Sequence, residues 1–174
     1  MRIMKRVFIV FLALFVLTGC VPRNDVALTY AGKDIECEIA YALGDMNVRG
    51  IFVSHKTESG KDVEFAFLEP QALCGITVQR VGGVISAEID GIEICGEQFA
   101  CWLGVEALFE SEGEIIESSL AELGTERLNR IVLATEEEDR LEIFLSGDSD
   151  TPVMICGKVN GEYVRGNVIR FDAK

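Results

Sequence analysis

The chain has 174 residues, 49% of them hydrophobic and 26% charged, with a formal net charge of −13 at pH 7. Those figures fit one globular domain of ordinary size and exclude fibrous and disordered chains. So large a negative charge repels nucleic-acid phosphates and anionic lipid headgroups, which excludes nucleic acid as a partner and electrostatic adhesion as a route to a membrane.

The first element is a targeting segment. Arg2, Lys5 and Arg6 precede the apolar run Val7 to Leu17, and Leu17-Thr18-Gly19-Cys20 closes it: a basic region, a hydrophobic region and a small-residue cleavage site. The run falls short of the roughly 20 residues that a membrane-spanning helix needs. Leu-Thr-Gly-Cys resembles the bacterial lipobox, which implies cleavage between Gly19 and Cys20 and a diacylglycerol on the Cys20 thiol. Two acyl chains hold a protein stably where one does not. The expected organisation is therefore a signal peptide over 1–19, a lipidated cysteine and tether over 20–25, and a domain over 26–174, anchored on the extracytoplasmic face of the cell membrane. Cleavage removes three cations and no acid, so the charge moves from −13 to −16.

Past the tether, Val26, Leu28 and Tyr30 alternate with smaller or polar neighbours, and Ala31-Gly32-Lys33 offers a turn. Ile35, Cys37, Ile39, Tyr41 and Leu43 resume the alternation against Glu36 and Glu38, so this stretch reads as a hairpin with one wet face. Val48 to Lys56 and Val63 to Leu68 bracket the polar loop Thr57 to Lys61, a second hairpin, and Pro70 ends its second strand because proline cannot donate to a ladder. Ile76 to Val78, Val84 to Ile89 and Ile92 to Ile94 follow, separated by Gly82-Gly83 and Asp90-Gly91.

The period then changes. Phe99 to Phe109 shows no alternation, and Glu106 and Glu110 lie one helical turn apart, which predicts a short helix that buries most of its girth. Gly113 to Gly124 is ambiguous between a loop and a second weak helix. Strand signals return at Arg130 to Thr135, Leu141 to Leu145, Val153 to Val159 and Tyr163 to Phe171, with Asn160-Gly161 as the last turn. Short hairpin connections impose an antiparallel meander, since parallel pairs need long crossovers. About ten strands in one sheet must curl. The fold class is accordingly mainly β (α+β): a curved antiparallel meander, or half-barrel, covered by one or two short helices.

Phe65-Ala66-Phe67-Leu68-Glu69-Pro70, then Leu73-Cys74-Gly75-Ile76-Thr77-Val78 and Asp90-Gly91-Ile92, resemble the first half of the LolA-like lipoprotein-carrier superfamily. Thr151-Pro152-Val153, Asn160-Gly161 and Val168-Ile169-Arg170-Phe171 are similar to its final hairpin. The resemblance spans Val26 to Phe171. It implies an unclosed barrel wrapped around helices, with an apolar hollow that accepts acyl chains.

Candidate chemistry is sparse. Five cysteines accompany Cys20: Cys37, Cys74, Cys95, Cys101 and Cys156. With no Cys-x-x-Cys pair and a single histidine, neither a metal nor a cofactor site is expected. Cys37 shares the parity of Ile35 and Ile39, and Cys74 that of Ile76 and Val78, the pattern of small core residues. Export favours disulfides, and Cys95 with Cys101 is the first choice for a pair. Ser54 and His55 are adjacent in a strand, point to opposite faces, and so cannot act as nucleophile and base together. Asp148-Ser149-Asp150 opens like a calcium loop but lacks the later ligands, with Val159 at the twelfth position, and reads as a turn. Glu136 to Asp139 is a solvated loop or a docking patch for a basic partner. Phe99, Trp102, Leu103, Leu108 and Phe109 either fill a closed core or form a movable lid on a ligand. The expected function is non-enzymatic, an anchored domain whose hollow binds lipid or acyl chains. The alternative is an envelope sensor or protein-docking module of the same fold with a filled interior.

Overall fold

Alternation along the chain organises the molecule. The computed structural model describes residues 28–43, 45–58, 60–109, 113–134, 140–147, 149–159 and 162–174. The signal segment, Cys20, the tether, the Glu136 to Asp139 run, Asp148 and the Asn160-Gly161 turn lie outside the described residues.

A meander β1 (Ile35–Leu43), β2 (Met46–Thr57), β3 (Gly60–Glu69), β4 (Ile76–Val81), β5 (Val84–Ile89) and β6 (Ile92–Cys95) comes first. A 3₁₀ segment follows over Glu97–Phe109, and a second meander comprises β7 (Glu114–Leu123), β8 (Glu126–Ala134), β9 (Arg140–Ser146), β10 (Pro152–Val159) and β11 (Glu162–Ala173). All pairings are antiparallel, and the strands form one open sheet in the order β6-β5-β4-β3-β2-β1-β11-β10-β9-β8-β7. The first meander thus walks outward to one edge. The 3₁₀ segment carries the chain to the opposite edge, and the second meander walks back until β11 closes on β1. A sheet of this size twists and coils. Its inward residues from both meanders meet the 3₁₀ segment in a single core.

Register explains which residues enter that core. In β1, Ile35, Cys37, Ile39 and Tyr41 are buried while Glu36 and Glu38 are only half-buried. Cys37 sits opposite Phe52, and Ile39 opposite Gly50. A Cβ on Gly50 would fall 2.4 Å from Cζ of Phe65 and 2.5 Å from the Ala66 carbonyl oxygen. Only glycine lets the Phe65 ring lie across the strand there. Arginines pair with several acids of the outward face. Arg49 bridges Glu38 and Glu69, Arg130 bridges Glu117 and Glu142, and Arg170 reaches Glu36 at 3.0 Å.

Three expectations need correction. Leu28 and Tyr30 belong to a turn rather than a strand: the Ala31 and Lys33 N–H groups donate to the Leu28 and Tyr30 carbonyls at 3.0 and 3.1 Å, and both side chains are nevertheless buried. Gly113 to Gly124, expected as loop or helix, contains the ten-residue strand β7. Cys74 is exposed rather than core, because it follows the 3₁₀ turn Gln71–Leu73 and its Sγ donates to the Leu68 carbonyl at 2.9 Å.

Candidate functional site

The expected lid comes first. Leu103, Leu108 and Phe109 are buried, and Phe99 and Trp102 are half-buried against the same core. The segment carrying them is fastened along its length. The Tyr41 hydroxyl donates to the Trp102 carbonyl at 3.3 Å, and Arg80 of β4 holds Glu106 at 2.5 Å. Phe109 stacks between Phe52 and Phe171, with centroids 5.1 and 6.2 Å away. Trp102 meets Phe67 edge-on at 4.9 Å. Gly166 of β11 completes the fit: a Cβ there would lie 3.1 Å from Cδ1 of Leu108, so the missing side chain lets the segment touch the sheet. These aromatic and aliphatic side chains pack the segment against the sheet's inner face.

Where the segment ends, the turn before β1 and the β2–β3 hairpin enclose a cavity of about 20 Å³, room for one water molecule. Pockets for drug-sized ligands run to roughly 300–1,000 Å³. The cavity is lined by Tyr30, Lys33, Phe52, Ser54, Lys56, Lys61, Glu106 and Phe109 among others. Ser54 is inward and buried; His55, its neighbour, is exposed and sits 3.2 Å from Asp34. The two side chains therefore point to opposite faces, as adjacent strand residues must. Asp34 is held below the usual carboxylate range, first by the backbone N–H of Lys56, then by His55. Sequence reasoning missed this cavity. No signal in the linear chain could have found it, because Lys33 lies far from Lys56 and Lys61 in sequence and only the fold brings them to one lining.

The sheet's edges form the third feature. β6 has four residues, whereas β7 has ten, nearly all of them exposed, with Ile115, Ile116, Leu120 and Leu123 among its apolar side chains. Its only pairing among the described residues is with β8, so one row of backbone donors and acceptors is left without a strand.

Cys95 and Cys101 are exposed free thiols in this structure, not a pair, and Cys101 Sγ contacts the Gln98 carbonyl at 3.5 Å. Cys37 and Cys156 are buried, and burial together with Glu36 pushes the Cys37 thiol well above its ordinary value. An aromatic disulfide reagent is expected to titrate Cys74, Cys95 and Cys101 rapidly in the native protein and Cys37 and Cys156 only after denaturation; mass mapping of the modified residues checks this. At the Asp150 turn, the Ser146 and Ser149 hydroxyls lie 2.8 Å apart and the Asp150 N–H donates to the Ser146 carbonyl. No cluster of three metal-ligating residues occurs among the described residues.

No protein-family model matches the chain, and no curated protein matches it. Among solved structures it is similar to an uncharacterized conserved protein from Thermus thermophilus, with TM-score 0.50 and 8% identity over 83% of this chain and 81% of that one. It is also similar to the Mycobacterium tuberculosis lipoprotein LppX, with TM-score 0.41 and 10% identity over 80% and 87% of the two chains. A LolA superfamily protein from Nitrosomonas europaea follows, with TM-score 0.37 and 8% identity over 87% and 90%. At such identities the likeness is one of fold. The open antiparallel sheet packed on a helical segment is the architecture that the LolA-like resemblance implied.

Proposed function

We propose that this chain is a lipid-anchored, non-enzymatic docking module of the cell envelope that pairs an extended segment of a protein partner along β7. The observation that carries this reading is a ten-residue edge strand with exposed apolar side chains and no outer neighbour among the described residues. Proteins ordinarily blunt such edges with short strands, bulges or covering elements. The β6 edge is short, but β7 has a single irregularity, between Ile115 and Glu117, and runs regularly from there to Leu123. Adding a strand satisfies the open backbone groups, and pockets for alternate side chains give selectivity.

The burial of large side chains between the sheet and the Glu97–Phe109 segment favours the same choice over acyl-chain carriage. An acyl chain binds by burying methylenes at roughly 0.8 kcal/mol each, which requires space that Phe52, Phe65, Leu108 and Phe109 themselves occupy. The negative charge, −16 for the form cleaved before Cys20, steers a basic partner toward the domain and makes the encounter sensitive to salt.

The test is site-specific photocrosslinking in cells from position 120, with position 169 of β11, also exposed, as control. A discrete adduct at 120 alone is expected. The double variant Ile116→Lys, Leu120→Lys is expected to cut its yield at least about tenfold, since each exposed large side chain contributes up to roughly 1–3 kcal/mol when buried. Stability should change by no more than about 0.5 kcal/mol per substitution. Equal adducts at both positions, or a stoichiometric acyl ligand extracted from the purified protein by organic solvent, would overturn the reading.

A further inference from the structure

The hairpin between β4 and β5 ends in an apolar tip. Val81 and Val84 are direct cross-strand partners on either side of Gly82-Gly83, with 53% and 58% of their surfaces exposed. Both glycines have positive φ, and a Cβ on either would meet nothing within 4 Å, so the tip stands clear. The Asp62 carboxylate accepts from the Gly82 N–H at 2.9 Å and ties the tip to β3. A two-residue turn of this kind requires its glycines and makes no demand for valine beside them.

Register places the tip at the end of the sheet where the described chain begins. There Ile35 pairs with Ser54 and Ala173, Lys56 pairs with Lys61, and Asp34 and Lys174 exchange backbone hydrogen bonds at 3.2 and 3.0 Å. The Asp90-Gly91 turn and its neighbour Ile92 lie at the opposite end. The twelve residues of β2 separate the two ends by roughly 40 Å, at the usual strand rise. Leu28 follows Cys20 by eight residues, at most about 29 Å of fully extended chain. A lipid on Cys20 therefore cannot reach a bilayer that lies against the opposite end.

Charge agrees with that orientation. Of the five lysines after Cys20, Lys158 of β10 lies towards the opposite end, and Lys33, Lys56, Lys61 and Lys174 are at the tip's end. Asp34, Glu58, Asp62 and Asp172 stand among them, so this end is close to neutral in a strongly acidic chain and is the end that headgroups repel least.

The geometry points to a lipid surface as the partner of the β4–β5 tip: the anchored domain rests on the bilayer with Val81 and Val84 in the headgroup layer. This inference depends on Cys20 as the anchor. It does not involve β7, which lies at the far edge of the sheet from β4 and β5.

The experiment reconstitutes the full lipidated chain, purified in detergent, into phosphatidylcholine vesicles. An environment-sensitive fluorescent amino acid is placed at position 84, or at position 92 as a control that is equally apolar and 66% exposed. Lipids carrying a nitroxide are expected to quench the probe at 84 at least about threefold more than the probe at 92. Val81→Asp is expected to bring quenching at 84 down to the level at 92, because a carboxylate resists leaving water. The tip is exposed and meets no other element, so neither change threatens folding. Flotation with the vesicles is read on the same samples. A chain that does not float overturns the anchor and this inference with it. A chain that floats with equal quenching at 84 and 92, or with quenching at 84 untouched by Val81→Asp, overturns this inference alone.

Discussion

Leu108→Ala is expected to lower the free energy of unfolding by about 3–4 kcal/mol, measured by urea denaturation against the parent. Leu108 is wholly buried, and its Cδ1 rests over Gly166, where backbone rather than a movable side chain forms the wall. Ile39 crowds the same face of that glycine, with Cδ1 2.6 Å from the Cβ position. A void opened there has little that can collapse into it, which places the cost well inside the range for leucine truncations in rigid cores. The same measurement separates a filled core from a lid. Were the Glu97–Phe109 segment a loose cover over an open hollow, removing three carbons from its inner face would cost under about 1 kcal/mol and would enlarge a ligand site. A loss that small would contradict the packing described above and favour acyl-chain carriage.

Most strands were legible because one face of each is wet, and a period of two survives in Val63-Phe65-Phe67 or Leu141-Ile143-Leu145. β7 was not legible, for a physical reason. An edge strand exposed on both faces is under no pressure to alternate, and the irregularity between Ile115 and Glu117 shifts what parity it has. Its apolar residues Ile116, Leu120 and Leu123 fall by chance at helical spacing, which is why a weak helix competed with a loop. The turn at Leu28 and Tyr30 failed in the opposite sense: two alternating large residues imitate a strand, but both are buried by packing, Tyr30 edge-on against Phe171 at 5.4 Å, without any ladder. The segment over Glu97–Phe109 was found because it lacks a period, yet its 3₁₀ winding could not be read from residues that are apolar nearly all round. The rim cavity depends on register between β2 and β3, which fixes Lys56 opposite Lys61, and on a turn from before β1 that delivers Tyr30 and Lys33. Neither adjacency exists in the linear chain.

Cys20→Ala is expected to abolish incorporation of an alkyne-bearing fatty acid into the protein, and globomycin is expected to make the parent accumulate as the longer, uncleaved form. Both follow from Leu17-Thr18-Gly19-Cys20 after a basic and then an apolar segment. The size of the effect comes from what the rest of the chain does not supply. Val7 to Leu17 is too short for a stable span, which takes roughly 20 apolar residues. Cleavage before Cys20 would remove three cations and bring the charge from −13 to −16, so a domain so processed would be repelled by anionic headgroups. No helix among the described residues is long and apolar enough to cross a membrane. On the proposed reading, two acyl chains on Cys20 carry the attachment, each methylene contributing roughly 0.8 kcal/mol, and nothing electrostatic would compensate for their removal. A docking edge on a tethered domain also gains from the anchor, because confinement to the membrane surface raises the effective concentration of any partner held at the same surface. Label persisting in Cys20→Ala, together with a parent whose mass does not respond to globomycin, would remove the anchor from this account while leaving the β7 edge to be tested on its own.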